Sequence, residues 1–281
     1  MTENGIIGLI LIIVNIAISY RGFTNGPFFE RYKFEVDNIL IDKDYKRLIT
    51  SGFLHVSWAH LIFNMISLYA FSGLIEIGLG GLRILIIYFA SLVGGNLLSL
   101  FVHRNHGDYS SVGASGAICG VIFASIALFP GFSIGFFFLP ISIPGWAFGI
   151  LFVLFSIYGI KSKKDNIGHE AHLGGALVGM MVALAMEPSA LLENYLTVLI
   201  IVVPTAAFIY LIITRPHILL IDNFYFKSHK TYYSIDQKYN EEKNRRQQEI
   251  DRILDKISKG GMNSLSKQEK EKLREYSRKK P

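Results

Sequence analysis

The chain has 281 residues, of which 51% are hydrophobic and 18% charged, with 21 Phe, a mean hydropathy of +0.37 and a net charge of +6. Soluble domains carry about a quarter charged residues, so this composition excludes an ordinary soluble fold. From Arg215 onward there are 17 basic and 10 acidic residues, which leaves residues 1–214 at a net −1 and confines the basic character to the C-terminal segment.

The apolar residues fall in long charge-free blocks: Gly5–Tyr20, Val56–Ile75, Ile84–Val102, Tyr109–Ile160, Ala171–Met186 and Asn194–Thr214. A helix needs roughly 20 apolar residues to cross the hydrocarbon, so each block is read as a membrane span. The first is expected to be a retained helix, because Met1-Thr2-Glu3-Asn4 lacks the basic residues of a signal peptide. Tyr109–Ile160 is too long for one helix, and Pro130-Gly131, Pro140 and Pro144-Gly145 interrupt it, so two spans joined by a mobile Phe-rich turn are expected, seven in all.

Between the first two spans lies Arg21–His55, with five acidic and six basic residues, too long for a simple connector and expected to pack on or in the membrane surface. In the tail, Ile250, Ile253, Leu254 and Ile257 share one helix face, Gly260-Gly261 ends that helix, and Ser266 with Glu269 predicts a capping box opening a second helix that carries Leu273 and Tyr276. Charges of alternating sign without interleaved aromatics make the tail a solvated helical hairpin rather than a nucleic-acid surface. Cys119, the single cysteine, lies inside a span, so no disulfide is expected.

Polar groups inside spans are costly and mark candidate chemistry. Gly113-Ala114-Ser115-Gly116 opens the fourth span with an accessible serine and free backbone N–H groups, although small residues at this spacing, through Gly120, also serve helix packing. His172 begins the sixth span, whose Gly175 and Gly179 allow close approach to a neighbouring helix. His60 and Asn64 share one face of the second span, and both can donate to an oxyanion. Arg47, just before that span, is read first as an anchor at the headgroups.

Together these segments resemble the rhomboid family of intramembrane serine proteases. The resemblance rests on Arg47, Thr50 and His55 as Arg-x-x-Thr-x4-His, His60 and Asn64 as His-x3-Asn, Gly-x-Ser-Gly at Gly113, Ser115 and Gly116, and Ala-His-x-x-Gly-x3-Gly from Ala171 through Gly179, in order on the second, fourth and sixth spans. It covers about residues 5–187. It implies an all-α polytopic bundle with a six-helix core over residues 1–187; the extra transmembrane helix expected over 188–214 and the basic soluble tail expected over 215–281 lie outside the resemblance. It also implies Ser115 as nucleophile, His172 as general base, His60, Asn64 and the Ser115 N–H as oxyanion donors, and Glu76 as a structural acid.

Two positions depart from the family pattern. Many members carry Tyr or Phe one turn after the serine, where the ring supports the histidine, and Cys119 stands there; Lys46 stands where a Trp often precedes the loop arginine. A dyad needs no carboxylate, so neither Asp165 nor Glu170 is required as a third member. The expected substrates are transmembrane proteins entering laterally from the lipid and cut near small or helix-breaking residues; membrane lipids are the surroundings, no nucleic acid is a partner, and no cofactor or metal is needed.

Other readings compete with this one. His169-Glu170-Ala171-His172 approaches the zinc motif H-E-x-x-H, but its second histidine comes one residue early. A non-catalytic rhomboid-like protein that holds membrane clients, and a transporter, are the others; the sequence has no inverted repeat of the transporter kind. A multi-pass protein of the cell membrane is expected. Seven spans put the site and the tail on one side, which the family resemblance makes the exterior and the positive-inside rule the cytoplasm. The exterior is expected, since long tails translocate regardless of charge.

Overall fold

The computed structural model of the protein describes residues 5–129, 131–136, 139–162 and 167–214, and residues 253, 256, 257, 265, 266, 269 and 270 of the C-terminal segment. The readings placed on Met1–Asn4, Pro130, Asp165, Ile250, Leu254, Gly260, Gly261, Leu273 and Tyr276 concern residues outside this set. The chain divides into two compact units, Met1–His229 and Lys230–Pro281.

In the first unit, helix α1 (Ile6–Thr24) leads into α2 (Gly26–Tyr32), whose Asn25 cap accepts from the Phe28 N–H and which takes Pro27 in its first turn, where the missing N–H costs nothing. Strand β1 (Phe34–Glu35), helix α3 (Val36–Leu40), helix α4 (Arg47–Thr50) and a 3-10 turn (Ser51–Phe53) follow. The loop expected on the membrane surface is thus a folded element with its own core of Phe34, Val36, Ile39 and Leu48.

Helix α5 (Trp58–Leu79) starts at Ser57, whose hydroxyl accepts from the His60 N–H. Gly80, at φ 92°, makes the reversal into α6 (Gly81–Val102), a backbone conformation that side chains disfavour. Strand β2 (Ser110–Ser111) pairs antiparallel with β1, Phe34 opposite Ser111. Then come α7 (Ser115–Leu128), β3 (Ser133–Phe136), β4 (Leu139–Pro144), α8 (Gly145–Ser162), α9 (His169–Met186), α10 (Ser189–Glu193) and α11 (Tyr195–Thr214).

The architecture is a helical bundle, as expected, with two corrections. The segment between the fourth and fifth apolar helices, expected as a Phe-rich turn, is an antiparallel hairpin of β3 and β4, with Ile134 opposite Ile143; the Ser-Ile-Gly-Phe run alternates at the strand period. Five helices among the described residues, α1, α5, α6, α9 and α11, are long and apolar enough to cross a membrane, whereas Ser115–Leu128 and Gly145–Ile160 are shorter apolar helices. A 14-residue helix such as α7 rises only about 21 Å, short of roughly 30 Å of hydrocarbon.

That shortness suits its place. Every residue of α7 after Ser115 is buried, so it is wrapped by other helices and need not meet lipid. The large exposed apolar side chains lie on the outer helices instead, among them Ile13, Phe63, Ile77 and Val203. Helices α6, α7 and α9 meet through glycines. A Cβ on Gly175 would strike the Gly116 carbonyl, one on Gly179 would strike the Gly120 backbone, and one on Gly95 would strike the Ala171 carbonyl. Small residues at four-residue spacing let the backbones touch, the usual packing device where no water drives helices together.

Helix α5 runs past the block read from hydropathy. It continues through Glu76, whose buried carboxylate accepts from the N–H groups of Ile7 (2.9 Å) and Gly8 (3.0 Å) at the open end of α1. The charge inside the bundle is satisfied by N–H groups that have no partner in their own helix.

In the second unit, Ile253 and Leu265 are buried and Ile257 packs on them. Glu269 accepts from the Ser266 N–H at 2.7 Å, Ser266 Oγ accepts from the Glu269 N–H at 3.2 Å, and Lys256 pairs with the same carboxylate at 3.0 Å. This is the reciprocal geometry of a capping box. The Ser266 N–H first, and Lys256 next, hold the Glu269 carboxyl down at about 2.

Candidate active site

Ser115 is the first residue of α7 and His172 lies in the first turn of α9. The glycine contacts between these helices bring the side chains together, with His172 Nε2 2.6 Å from Ser115 Oγ. Gly113, at φ 138°, turns the chain into α7 and donates its N–H to the Ser51 carbonyl at 3.0 Å. A Cβ there would lie 2.8 Å from the His60 ring, so glycine permits both the turn and the approach of His60.

His60 and Asn64 line the same cavity of about 860 Å³ as Ser115 and His172. Asn64 Nδ2 donates one hydrogen to the His60 carbonyl at 3.0 Å and keeps a second. The Ser115 N–H sits at a helix start and has no intrahelical acceptor. Donors of three kinds, a backbone N–H, an imidazole and an amide, therefore surround the cavity beside Ser115.

Behind His60 stands His55, edge to face at 4.9 Å between ring centroids. Ser19 Oγ lies 2.8 Å from the Phe53 carbonyl and 2.7 Å from His55 Nδ1. The carbonyl only accepts, so the hydroxyl donates to it and accepts from Nδ1–H, which assigns the tautomer of neutral His55. Burial first, and the neighbouring His60 second, pull the His55 pKa down to about 3.

Arg47 does not reach toward headgroups, which corrects the sequence reading. Its buried guanidinium donates to the carbonyls of Glu30 (3.0 Å) and Lys33 (2.8 Å) and to Asp44 (3.0 Å). The planar fork suits three acceptors converging from one folded loop. Through Ser51, whose hydroxyl donates to the Arg47 carbonyl and whose own carbonyl holds Gly113, this knot is two hydrogen bonds from the turn that presents Ser115.

Glu170 turns away from His172 and faces His103, with 3.3 Å between carboxylate and Nε2. His103 in turn stacks on Tyr109 at 3.5 Å and 5°. Burial first, and the Glu170 charge second, push the Tyr109 phenol up to about 12. His169 packs edge to face on Phe155 of α8. The rings of His169 and His172 lie 6.1 Å apart, edge to face, while Glu170 turns to His103, and no three His, Cys, Asp or Glu side chains among the described residues converge as a zinc site requires.

Sequence reasoning missed the His103, Tyr109 and Glu170 network, Ser51, and Phe152, whose ring lies 6.4 Å from His172. The one available signal was positional: His103 and Tyr109 bracket the short polar stretch that separates the third apolar block from the one holding Ser115.

These features define a polytopic helical membrane protein with a serine and a histidine juxtaposed inside the bundle. The chain belongs to the rhomboid family: the rhomboid domain model matches residues 42–189, just over half of its length. It is 29% identical over 189 residues to RHOMBOID-like protein 12, mitochondrial, of Arabidopsis thaliana, covering 62% of this chain and 55% of that protein. It is 28% identical to Rhomboid protease GluP of Bacillus subtilis, over 67% of this chain and 36% of that one. To the Putative rhomboid protease YdcA of the same bacterium it is 32% identical over 50% of this chain and 66% of that one.

The chain spans about half the length of the first two curated relatives, 55% and 51%. Relatives named mitochondrial and relatives from a bacterium both match, so the family assigns a membrane but not the cell membrane in particular. Residues 233–279 match a second family, described as one of unknown function.

Proposed function

We propose that this chain is an intramembrane serine endopeptidase that cuts transmembrane proteins with a Ser115–His172 dyad. The observation that carries the reading is the 2.6 Å separation of Nε2 and Oγ inside a cavity ringed by donors. His172 Nε2 takes the Ser115 proton as Oγ attacks the scissile carbonyl carbon. The negative charge on the carbonyl oxygen meets the Ser115 N–H, His60 and Asn64, each donor contributing on the order of 10²-fold. His172 then gives its proton to the departing amine, and water resolves the acyl-enzyme by a second pair of transfers, His172 taking the water's proton and returning one to Ser115 Oγ.

The cavity brings water to a reaction that hydrocarbon excludes, and a helical substrate must unwind to expose its carbonyl, so lateral entry and preference for small or helix-breaking residues follow. The reading includes six spans through Met186 as the protease core, α11 as a seventh span, the segment from Arg215 as a tail, residence in the cell membrane, and a site on its outer face. Gly113, Gly116, Gly175 and Gly179 act here as the spacers that set the dyad distance, and Arg47 and Glu76 as structural anchors.

The test is purified full-length protein in detergent with a model transmembrane substrate. Cleavage should occur and be lost in Ser115→Ala and in His172→Ala, since removing one member of an interdependent pair costs nearly as much as removing both. Binding without cleavage by the unmutated chain would favour the client-holding alternative; cleavage by Ser115→Ala would refute the dyad.

A further inference from the structure

Ser19 of α1 is fully buried. A hydroxyl buried inside a helix commonly returns to the carbonyl one turn back. Ser91, Ser125 and Thr205 do so here, donating to the carbonyls of Ile87, Val121 and Ile201. Ser19 instead reaches across to another segment, donating to the Phe53 carbonyl at 2.8 Å and accepting from His55 Nδ1 at 2.7 Å. Leu54, between those two, is seated on the same helix, where a Cβ on Gly22 would come within 2.9 Å of its side chain. Three consecutive residues on the approach to α5 are thus laid against α1.

His55 depends on that hydroxyl. Its side chain is buried, its Nε2 has no hydrogen-bond partner among the described residues, and Ser19 holds its other nitrogen. The ring in turn meets His60 edge to face at 4.9 Å, a separation at which aromatic rings attract beyond simple area burial. His60 Nδ1 is also buried with no hydrogen-bond partner among the described residues, so no bond at that nitrogen fixes the ring. Its Cε1 and Nε2 atoms are the ones a Cβ on Gly113 would meet, at 2.8 and 3.0 Å, which turns the Nε2 edge toward the loop that presents Ser115.

We infer that Ser19 is a positioning residue for the oxyanion donor His60, acting through His55. This rests on the reading of the site proposed above. An oxyanion donor acts only when it is held where the charge develops, so a side chain that fixes its support changes turnover and not substrate binding. The first helix then contributes to the chemistry without lining the cavity, through a hydroxyl and two stacked imidazoles.

The test measures kcat and KM on a model transmembrane substrate, and the rate at which a fluorophosphonate labels Ser115, in the purified full-length protein below its unfolding midpoint. Ser19→Ala should lower kcat and the labelling rate roughly tenfold, the scale of one hydrogen bond, with KM unchanged. His55→Asn keeps a donor for Ser19 but removes the ring that meets His60, and should do the same. In a His60→Ala background neither change should lower kcat further, because the group through which both act is gone, whereas a merely structural loss would multiply with it. Where Ser19→Ala does not purify folded, Ser19→Cys carries the same test with a side chain of similar size and weaker hydrogen bonds. Unchanged kcat in Ser19→Ala, or a further tenfold loss on adding it to His60→Ala, would overturn the inference. Unchanged kcat in His60→Ala, absence of labelling in the unmutated protein, or labelling of Ser115→Ala would instead overturn the oxyanion or dyad reading, and this inference with it.

Discussion

The N–H of Gly113 is bonded to the carbonyl of Ser51, 3.0 Å away, so the turn that presents the nucleophile hangs from the end of the first loop. That loop is knotted by Arg47, whose guanidinium serves two carbonyls and Asp44. Arg47→Ala removes the donor shared by the two carbonyls and Asp44, which keeps Lys46 at 3.4 Å, and the protein should lose about 1–3 kcal/mol, the scale for hydrogen bonds from a charged group. Arg47→Lys should recover less than half, since an ammonium cannot serve a fork of acceptors. Thermal unfolding in detergent reads both; an unchanged midpoint in Arg47→Ala would remove the knot from the account.

The glycine contacts separate two kinds of substitution. Gly175→Ala drives a methyl group into the Gly116 carbonyl, backbone against backbone, and should cost about 1–3 kcal/mol and abolish Ser115 labelling. Gly73, inside α5, has open space where a Cβ would stand, with nothing within 4 Å, and Gly73→Ala should stabilise by about 0.5–1 kcal/mol with labelling unchanged. Equal behaviour of the two variants would mean that helix contact does not set the dyad.

Acid should weaken the fold through His55. Its folded pKa, about 3, lies below the ordinary 6.5, so the unfolded chain binds the proton first. The contribution of neutral His55 is fully present above about pH 6.5 and is lost progressively as pH falls toward 3, a slope on the order of a few kcal/mol over that window. His55→Gln should be less stable at pH 7 and flatter against pH between 6.5 and 3. A parallel slope in His55→Gln, read from unfolding midpoints across the range, would assign the acid sensitivity elsewhere.

The proposed exterior placement of the site makes a separate prediction. Single cysteines at Ser162 and Ser264 in a Cys119→Ala background should both react with an impermeant maleimide on intact cells. Protection of both until lysis would place the site and tail in the cytoplasm, as the positive-inside rule prefers.

Much of this arrangement was legible in the residue order because two signals act within one element at a time. Charge-free blocks mark helices, and small residues four apart mark the faces of α7 and α9 where backbones meet. What was hidden depends on pairing between elements. Phe152 is one of many phenylalanines in the sequence, and only the register of α8 against α9 sets it beside His172. Arg47 has the composition of a headgroup anchor, and only the folding of α2, β1 and α4 around it supplies carbonyls to turn it inward. Glu76 ended a hydropathy block as a charge, yet the helix runs through it because α1 provides the N–H groups it needs.

That bond between Glu76 and the start of α1 also orders events during synthesis. Its partners are 69 and 68 residues apart in the chain. At about 5–20 residues per second, a nascent α1 waits roughly 3–14 s before its acceptor has been made. For that interval the first N–H groups of α1 rely on water, lipid headgroups or the insertion machinery. Helix α1 therefore completes its place in the bundle only after α5 has arrived, although it is made before α5.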